Sequence, residues 1–205
     1  KIIAIGNSLG FYSNQYASGL LQEFNPEFNL SGMAVASSEK MAGVFKADFN
    51  SPDKFAGGPI VDYAGGVIGL VGSVEQNNQE ISFQIPSNKI KKVIERAIQK
   101  DFTANPKLGI YYLPLDQSQK ISRGLSVSEG ALIFSPSGQQ GLAIIAGSPA
   151  QKAGLKINDI IIAINGEAVT LQKSLPDILY QYRSGNEIEL TILRDGQEIK
   201  QKVQL

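Results

Sequence analysis

Two residue types that carry much of enzyme chemistry are missing, because the 205-residue sequence contains no cysteine and no histidine. Without cysteine, the chain cannot form a disulfide, a thiol nucleophile or a thiolate metal site. Without histidine, it lacks the commonest general base and the commonest metal ligand. A Ser-His-Asp or Cys-His mechanism therefore cannot be completed from this chain alone. We expect neither a metal ion nor an organic cofactor.

The chain also lacks an excess of either charge and any long apolar run. Its 19 lysine and arginine residues are balanced by 19 aspartate and glutamate residues. This balance excludes the broad basic surface that sequence-independent nucleic-acid binding needs. No apolar run approaches the ~18 residues of a membrane span, and no signal peptide precedes the first strand-like residues. Because the chain opens on Lys1 rather than methionine, we expect a processed or truncated piece of a longer protein.

The first hundred residues have the pattern of short strands separated by turns, and glycine is abundant, with 21 residues in the chain. Strands are predicted at residues 1–5, 44–46, 60–62, 67–71 and 81–85. This pattern favours a β-barrel or a β-sandwich.

One helix is predicted to close this half, with Ser87 as its N-cap. Its apolar residues recur at helical spacing and predict one buried face: Ile90, Val93, Ile94, Ala97 and Ile98. Residues 101–106 are polar, aperiodic and end in Asn-Pro, which predicts a linker. We therefore predict one domain over residues 1–100 and another over 107–205.

The second half has its own series of elements. Strands are predicted at residues 108–113, 131–134, 142–146 and 158–164. A short helix begins at Ser148-Pro149 and ends at Gly154, and a second helix covers residues 174–183. The Asp195-Gly196 pair predicts a closing hairpin of residues 187–193 and 197–203.

Residues 147–167 form the most specific motif in the chain, a short helix leading into an apolar strand and an Asn-Gly turn. This segment resembles the central signature of PDZ domains, and the elements that follow it agree. Upstream, Lys107-Leu108-Gly109-Ile110 is similar to the carboxylate-binding loop of PDZ domains in the HtrA family. The resemblance implies a PDZ domain over residues 107–205.

The residues of the carboxylate-binding loop themselves indicate how it could bind an anionic peptide terminus. Gly109 allows successive backbone N–H groups to point into one concavity, which suits an anionic peptide terminus. A peptide then adds as a strand beside residues 110–113. Its last side chain would enter an apolar pocket whose wall we predict to be Ile178 with Leu175 or Tyr182. In the alternative interpretation, Leu108 and Ile110 are ordinary strand core and the groove is closed.

The first half resembles the second barrel of an HtrA-type, trypsin-like protease. Residues 3–7, 16–21, 65–70 and 81–86 are similar, in order and spacing, to strands of that barrel. Active members of the family carry Gly-Asn-Ser-Gly-Gly-Pro around the nucleophile. Here Lys54-Phe55-Ala56 replaces Gly-Asn-Ser, whereas the following Gly-Gly-Pro is retained. The resemblance implies that the catalytic histidine and aspartate lie in a first barrel upstream of Lys1.

By this resemblance, Ala56 occupies the nucleophile position and has no oxygen to attack a carbonyl group. Lys54 occupies a position where the family uses a glycine whose N–H binds the oxyanion, and lysine adopts positive φ less readily than glycine. Phe55 is expected to crowd the same turn. Two explanations stay open: natural degeneration of the site, which we favour, and an engineered replacement of the serine.

Three functions follow from the resemblance, all in a mostly β protein that is inactive as this chain. The first is a pseudoprotease or protease fragment that binds C-terminal or unfolded peptide segments in protein quality control. The second is a piece of an active HtrA-type serine endopeptidase whose nucleophile has been replaced. The third is an assembly adaptor. We further expect either self-association or packing with a missing first barrel, and a periplasmic or cell-envelope location.

Five acidic residues could in principle form catalytic carboxylate pairs, but nothing in their spacing sets a separation between them. They are Glu27, Glu39, Asp48, Asp53 and Asp62. We interpret them as solvated acids in turns.

Overall fold

The computed structural model of the chain describes residues 1–6, 15–29, 35–49, 52–76, 79–100 and 105–205. These residues form two compact units. The first contains Lys1–Phe28 and Gly43–Phe102, and the second contains Asn29–Ala42 and Thr103–Leu205. A stretch of the first hundred residues thus belongs to the second unit and not to the barrel. Residues 101–104 of the predicted linker lie outside the described residues.

The first unit is a closed barrel whose strands follow the order β1-β2-β4-β7-β6-β5. Its strands are β1 (Ile2–Gly6), β2 (Gln15–Asn29), β4 (Ala42–Asp48), β5 (Pro59–Asp62), β6 (Val67–Gln76) and β7 (Gln79–Pro86). Alternate residues of β1 point inward, so that Ile2 and Ala4 are buried and pack with Ile60 and Val71. The predicted barrel in the first half is confirmed.

Helix α1 (Ser87–Ile98) follows the barrel, but its apolar stripe is not buried. The exposed fractions are 55% for Val93, 53% for Ile94 and 75% for Ile98. Strands β6 and β7 are its neighbours, and they leave the C-terminal half of the helix uncovered. The prediction of a buried face is therefore wrong for this chain. Helical periodicity identifies an apolar face, but it does not supply the element that covers that face.

The second unit is built on a sheet with the order β13-β12-β10-β9-β8-β3, and β11 pairs with β10. Its strands are β3 (Ala36–Ser37), β8 (Tyr111–Pro114), β9 (Ala131–Ile133), β10 (Ile160–Ile164), β11 (Glu167–Ala168), β12 (Glu187–Arg194) and β13 (Gln197–Gln204). Its helices are α2 (Gln117–Arg123), α3 (Gln140–Ala143), α4 (Pro149–Lys152) and α5 (Leu175–Leu179). Among the described residues, no helix has the length and apolar character needed to cross a membrane.

Two predictions in the second half are wrong in detail. Residues 142–146 do not form a strand, because α3 covers the first two of them and only Ile144 makes an isolated bridge, to Ile110. The apolar run there is only partly buried, since Leu142 is 58% exposed. The predicted helix over 174–183 ends at Leu179. Helix α2 was not predicted, although Asp116 caps it by accepting a hydrogen bond from the Gln119 N–H at 2.6 Å.

The motif of residues 147–167 is held in place by the buried carboxylate of Asp159. The Asp159 side chain is 1% exposed and accepts hydrogen bonds at 2.7 Å from both Nε and Nη2 of Arg194 on β12. It also accepts the Lys156 N–H at 2.7 Å. This hydrogen bonding to Asp159 raises the pKa of Arg194. The fork-shaped pair therefore ties the turn before β10 to the neighbouring strand.

Candidate peptide-binding groove

The loop of residues 107–110 has a backbone that only glycine accommodates easily at its centre. Gly109 has a φ of +82°, and a Cβ atom added there would lie 2.2 Å from the Cβ atom of Ser148. The Ile145 N–H donates to the Gly109 carbonyl at 2.9 Å, and the Ala150 N–H donates to the Leu108 carbonyl at 3.0 Å. These two carbonyl groups bond the main chain near α4, and the N–H groups of the loop are left available to other acceptors.

Those N–H groups bind the oxygen atoms of a distant segment of the same unit. The Gly109 N–H donates to Oε1 of Glu39 at 2.7 Å, and the Ile110 N–H donates to Oγ of Ser38 at 3.1 Å. In return, the Ser38 N–H donates to the Ile110 carbonyl at 3.0 Å. The loop thus holds a carboxylate in a concavity formed by successive N–H groups.

Strand β8 continues from this loop and has both of its edges paired. It pairs with β9 on one side and with β3 on the other, where Tyr112 lies opposite Ala36 and Tyr111 lies opposite Ser37. The β3 side is the edge at which an added peptide would pair. That edge is covered, and Leu108 and Ile110 are fully buried. In this structure, therefore, β3 occupies the edge of β8, and Leu108 and Ile110 belong to the core of the second unit.

The groove has β8 as one wall and helix α5 as the other, because side chains of both belong to one buried cluster. The start of α5 is capped because the Ser174 N–H and Oγ both donate to Oδ2 of Asp177, at 3.0 and 2.6 Å. Four residues singled out from the sequence belong to the same buried cluster as Ala36: Leu108, Ile110, Leu175 and Ile178. Tyr182 packs against the edge of this cluster, and its hydroxyl accepts a hydrogen bond from Nδ2 of Asn165 at 3.0 Å.

The sequence analysis missed the side chains that face the loop. Glu39 is half-buried and bound to the loop, so its interpretation as a solvated turn acid is wrong. Tyr180, which follows α5, donates its hydroxyl to the Glu39 carbonyl at 3.0 Å. Glu39 lies 70 residues from Gly109 in the chain and 141 residues from Tyr180. No local pattern connects positions so far apart.

The other acidic residues behave differently from Glu39. Asp62 is a turn acid as interpreted, because its Oδ1 accepts the N–H groups of Ala64 and Gly66 at 2.9 and 2.8 Å. Asp48 is exposed. The side chains of Glu27 and Asp53 lie outside the described residues. Within the part of the chain that the structure describes, no group of three or more acidic side chains is placed to hold a metal ion.

The segment around Ala56 forms a compact turn in the barrel. A 3₁₀ helix over Pro52–Phe55 contains Lys54, which is exposed, as is Ala56. Phe55 is 4% exposed and packs into the barrel core, so the expectation that it crowds the turn is wrong. The N–H of Gly57 is bonded to the Val71 carbonyl at 2.8 Å. The turn is therefore held by main-chain bonds and an apolar anchor, and Ala56 presents no nucleophilic atom.

Comparison with known proteins identifies both halves of the chain. Residues 106–205 match the family model of the PDZ domain. The chain is 31% identical over 212 residues to "Serine protease Do-like HtrA" of Bacillus subtilis, covering 100% of this chain and 45% of that protein. It is 33% identical over 144 residues to a "Probable periplasmic serine endoprotease DegP-like" of Rhizobium meliloti, covering 69% of this chain and 27% of that protein. The chain is a homologue of the HtrA/DegP serine proteases.

Solved structures agree with this assignment at the level of the fold. A structure entitled "HtrA-type protease AlgW with tripeptide" matches with a TM-score of 0.68 and 21% identity, over 99% of this chain and 63% of that chain. The HtrA/DegP homologue therefore has the expected mostly β architecture of a barrel followed by a PDZ domain. It spans less than half the length of the two curated relatives named above.

The groove of this HtrA/DegP homologue contains a buried hydroxyl with an unusual environment. Tyr112 is 1% exposed, and its hydroxyl makes no hydrogen bond within the described residues. Burial raises the pKa of Tyr112 far above its ordinary value, and the nearby Asp177, Tyr180 and Glu39 raise it further. Burial, Asp177 and Glu39 likewise raise the pKa of Tyr180. Both tyrosines therefore stay neutral where an exposed tyrosine ionises.

We expect Tyr112→Phe to leave stability unchanged or to increase it by up to about 1 kcal/mol at pH 8, because it removes a buried hydroxyl without a partner. Above about pH 10 the unfolded wild-type chain releases this proton and the folded chain keeps it, so wild-type stability falls as the pH rises. Tyr112→Phe removes the part of this loss of stability that is due to the Tyr112 hydroxyl. Urea unfolding by circular dichroism at pH 8 and about pH 11 measures both effects.

Tyr63→Phe is the matched control, because Tyr63 is 65% exposed and lies in a barrel turn. This control should reproduce the wild-type loss of stability at high pH. A loss of 2 kcal/mol or more in Tyr112→Phe at pH 8 would contradict the prediction, since about that much is lost when a satisfied buried hydrogen bond is broken.

Proposed function

We propose that this chain binds C-terminal or unfolded peptide segments through its PDZ groove, in the service of protein quality control. The supporting observation is that the N–H of Gly109 already holds a carboxylate oxygen, at 2.7 Å from Glu39. A peptide's terminal carboxylate presents the same chemistry to the same donors. The solved relative whose title names a tripeptide, and the PDZ family match, support the same ligand class.

The groove supplies three kinds of contact for such a peptide. Once β3 is displaced, the loop at Gly109 and Ile110 would bind the anionic end, and the freed edge of β8 would offer main-chain groups for pairing. Leu175 and Ile178, which are fully buried while β3 is in place, would then form the wall against which a terminal apolar side chain packs. Main-chain pairing supplies affinity that is independent of sequence, while the pocket selects the last residue.

We expect Gly109→Ala to weaken peptide binding by at least about tenfold, which corresponds to about 1.4 kcal/mol. The new Cβ atom would lie 2.2 Å from Ser148, and alanine is strained at a φ of +82°, so the N–H donors must move. The measurement is fluorescence anisotropy with a pool of labelled peptides ending in free apolar residues. The same pool with amidated C-termini should bind the wild-type chain more weakly.

Gly124→Ala is the matched control, because Gly124 also has a positive φ, +65°, and ends α2 in open space. Both variants carry a similar backbone strain of about 1 kcal/mol. Only Gly109→Ala should lose peptide binding. Equal binding of the free and amidated pools, both by the wild-type chain and by Glu39→Gln, in which a bond that holds Glu39 to the loop is weakened, would refute the proposed function.

We infer that the site corresponding to the protease active site has degenerated at several positions, and that the absence of the serine is not its only departure from the family motif. The support is that Lys54 lies in a 3₁₀ helix and Phe55 is an anchor of the barrel core, so two positions besides Ala56 depart from the family motif. The competing possibility is a competent endopeptidase site in which only the nucleophile has been replaced.

Ala56→Ser in the longest natural form of the protein should therefore not react with a fluorophosphonate probe or cleave casein. Loss of one oxyanion donor alone costs about 10²–10³ in rate. The comparison variant combines Lys54→Gly with Ala56→Ser, which restores the glycine and the serine of the family motif and keeps Phe55 in the barrel core. Labelling of the single variant at the rate of the double variant would identify the protein as a protease with a replaced nucleophile.

We also infer an extracytoplasmic location and association through the barrel. The location is supported by relatives named as probable periplasmic endoproteases. Association is supported by exposed apolar side chains on the barrel, with Tyr16 and Tyr63 each 65% exposed and Leu20 54% exposed. Cell fractionation and light scattering test the two inferences. A cytoplasmic protein, or a strict monomer at high concentration, would contradict them.

A further inference from the structure

One segment of the second unit occupies the place in which a peptide ligand would bind. Residues 35–42, called the internal segment below, contain β3, which is the last strand of the sheet and pairs with β8. In the sequence, this segment follows β2 and ends at Ala42, the first residue of β4. Its pairing with β8 is antiparallel and covers the edge that begins at the loop of residues 107–110. This arrangement is the β-strand addition by which an extended peptide binds a sheet edge.

The internal segment places two oxygen atoms against the N–H groups of the loop, where the two oxygen atoms of a ligand's terminal carboxylate would bind. Oε1 of Glu39 accepts the Gly109 N–H, and Oγ of Ser38 accepts the Ile110 N–H. These two oxygen atoms are joined, because Ser38 Oγ donates to Glu39 Oε1 at 2.7 Å. The Ser38 N–H bonds the Ile110 carbonyl, as the N–H of a ligand's last residue would.

The chain makes a tight turn immediately after these contacts and leaves the loop, so the segment can bind there without a free C-terminus. The Lys40 N–H donates to the Ser37 carbonyl at 3.2 Å, which closes a tight turn through Ser38 and Glu39. Tyr180 then bonds the Glu39 carbonyl from the opposite wall. Oγ of Ser37 also donates to Oε2 of Glu39 at 3.0 Å and holds the carboxylate in position.

The first four residues of the internal segment are buried, whereas Lys40 is exposed. Val35, Ala36, Ser37 and Ser38 are each at most 5% exposed, and Ala36 belongs to the core cluster of the second unit. Since the segment is covalently part of the same chain, its effective concentration at the groove is on the order of millimolar. An external peptide binds only the fraction of molecules in which the groove is open.

We propose that the internal segment is a built-in ligand of the PDZ groove, in which the Glu39 carboxylate takes the place of a peptide's C-terminal carboxylate. External peptides must displace it, and the groove also recognises internal segments that carry a Ser-Glu turn. This inference rests on the proposed peptide-binding function and adds its regulation.

Glu39→Gln tests the inference in the 205-residue chain, because glutamine keeps the size of the side chain and removes its charge. A charge-assisted hydrogen bond is about twice as strong as a neutral one, so the segment should be released more often. The apparent affinity for the pool of free C-terminal peptides should rise about fivefold. Glu198→Gln is the matched control, since Glu198 is exposed on β13 and is remote in the sheet order from β8.

Hydrogen–deuterium exchange gives a second, independent measurement. In the wild-type chain, saturating free C-terminal peptides should increase exchange within residues 35–42, because the Ser38 N–H loses its bond to the Ile110 carbonyl. Amidated peptides should do so less. In Glu39→Gln, exchange within the same residues should be faster before any peptide is added.

The outcomes separate this inference from the function on which it rests. If Glu39→Gln binds the free peptides no more tightly than the wild-type chain, and residues 35–42 stay protected with peptide bound, the built-in ligand is refuted. Preferential binding of free over amidated peptides would then leave the proposed function standing. If neither folded chain distinguishes free from amidated peptides, the proposed function and the built-in ligand are both refuted.

Discussion

The peptide groove depends on the left-handed backbone at Gly109. A φ of +82° at this residue orients the loop so that the carbonyl groups of Leu108 and Gly109 bind the main chain around α4. The N–H groups of Gly109 and Ile110 are thereby available to oxygen atoms on the other side. Any side chain at this position would collide with Ser148. One residue thus couples the conformation of the loop, the start of α4 and the recognition of an anion.

The anion that the loop holds belongs to the protein itself. Glu39 is partly withdrawn from water, which is costly for a carboxylate unless hydrogen bonds replace its hydration. The Gly109 N–H and the hydroxyl groups of Ser37 and Ser38 provide those bonds. Of these donors, the Gly109 N–H belongs to the loop and would remain for a peptide terminus, whereas the two serine hydroxyl groups would leave with the internal segment. Under our proposal, the internal segment and an external peptide compete for this N–H group.

The conformation of the barrel turn around Ala56 does not depend on the side chain at that position. The turn that contains Ala56 is held by Phe55 in the core and by the bond from Gly57 to Val71. None of these contacts requires a serine, because main-chain bonds and apolar packing are indifferent to the side chain at position 56. A serine or an alanine at position 56 is therefore compatible with the same main-chain bonds and the same packing of Phe55.

The sequence by itself was sufficient for the elements whose cause is local. The hairpin at Asp195-Gly196 follows from two residues that tolerate positive φ, observed at +53° and +78°. The cap of α4 at Ser148 and the loop at Gly109 are equally local, since a side chain or its absence dictates the nearby backbone. The mostly β architecture could be predicted from the local strand and turn pattern, whereas the PDZ domain was predicted from the family resemblance of residues 147–167.

The tertiary structure alone decided which surfaces are covered and which distant groups meet. Periodicity predicted an apolar face on α1, but burial requires a partner element, and much of that face stays exposed. Leu142 was misassigned because an apolar run does not reveal how much of it is buried. Glu39 meets Gly109 across 70 residues of chain. Such a meeting depends on the path of the whole backbone, because hydrogen bonds act over about 3 Å regardless of sequence distance.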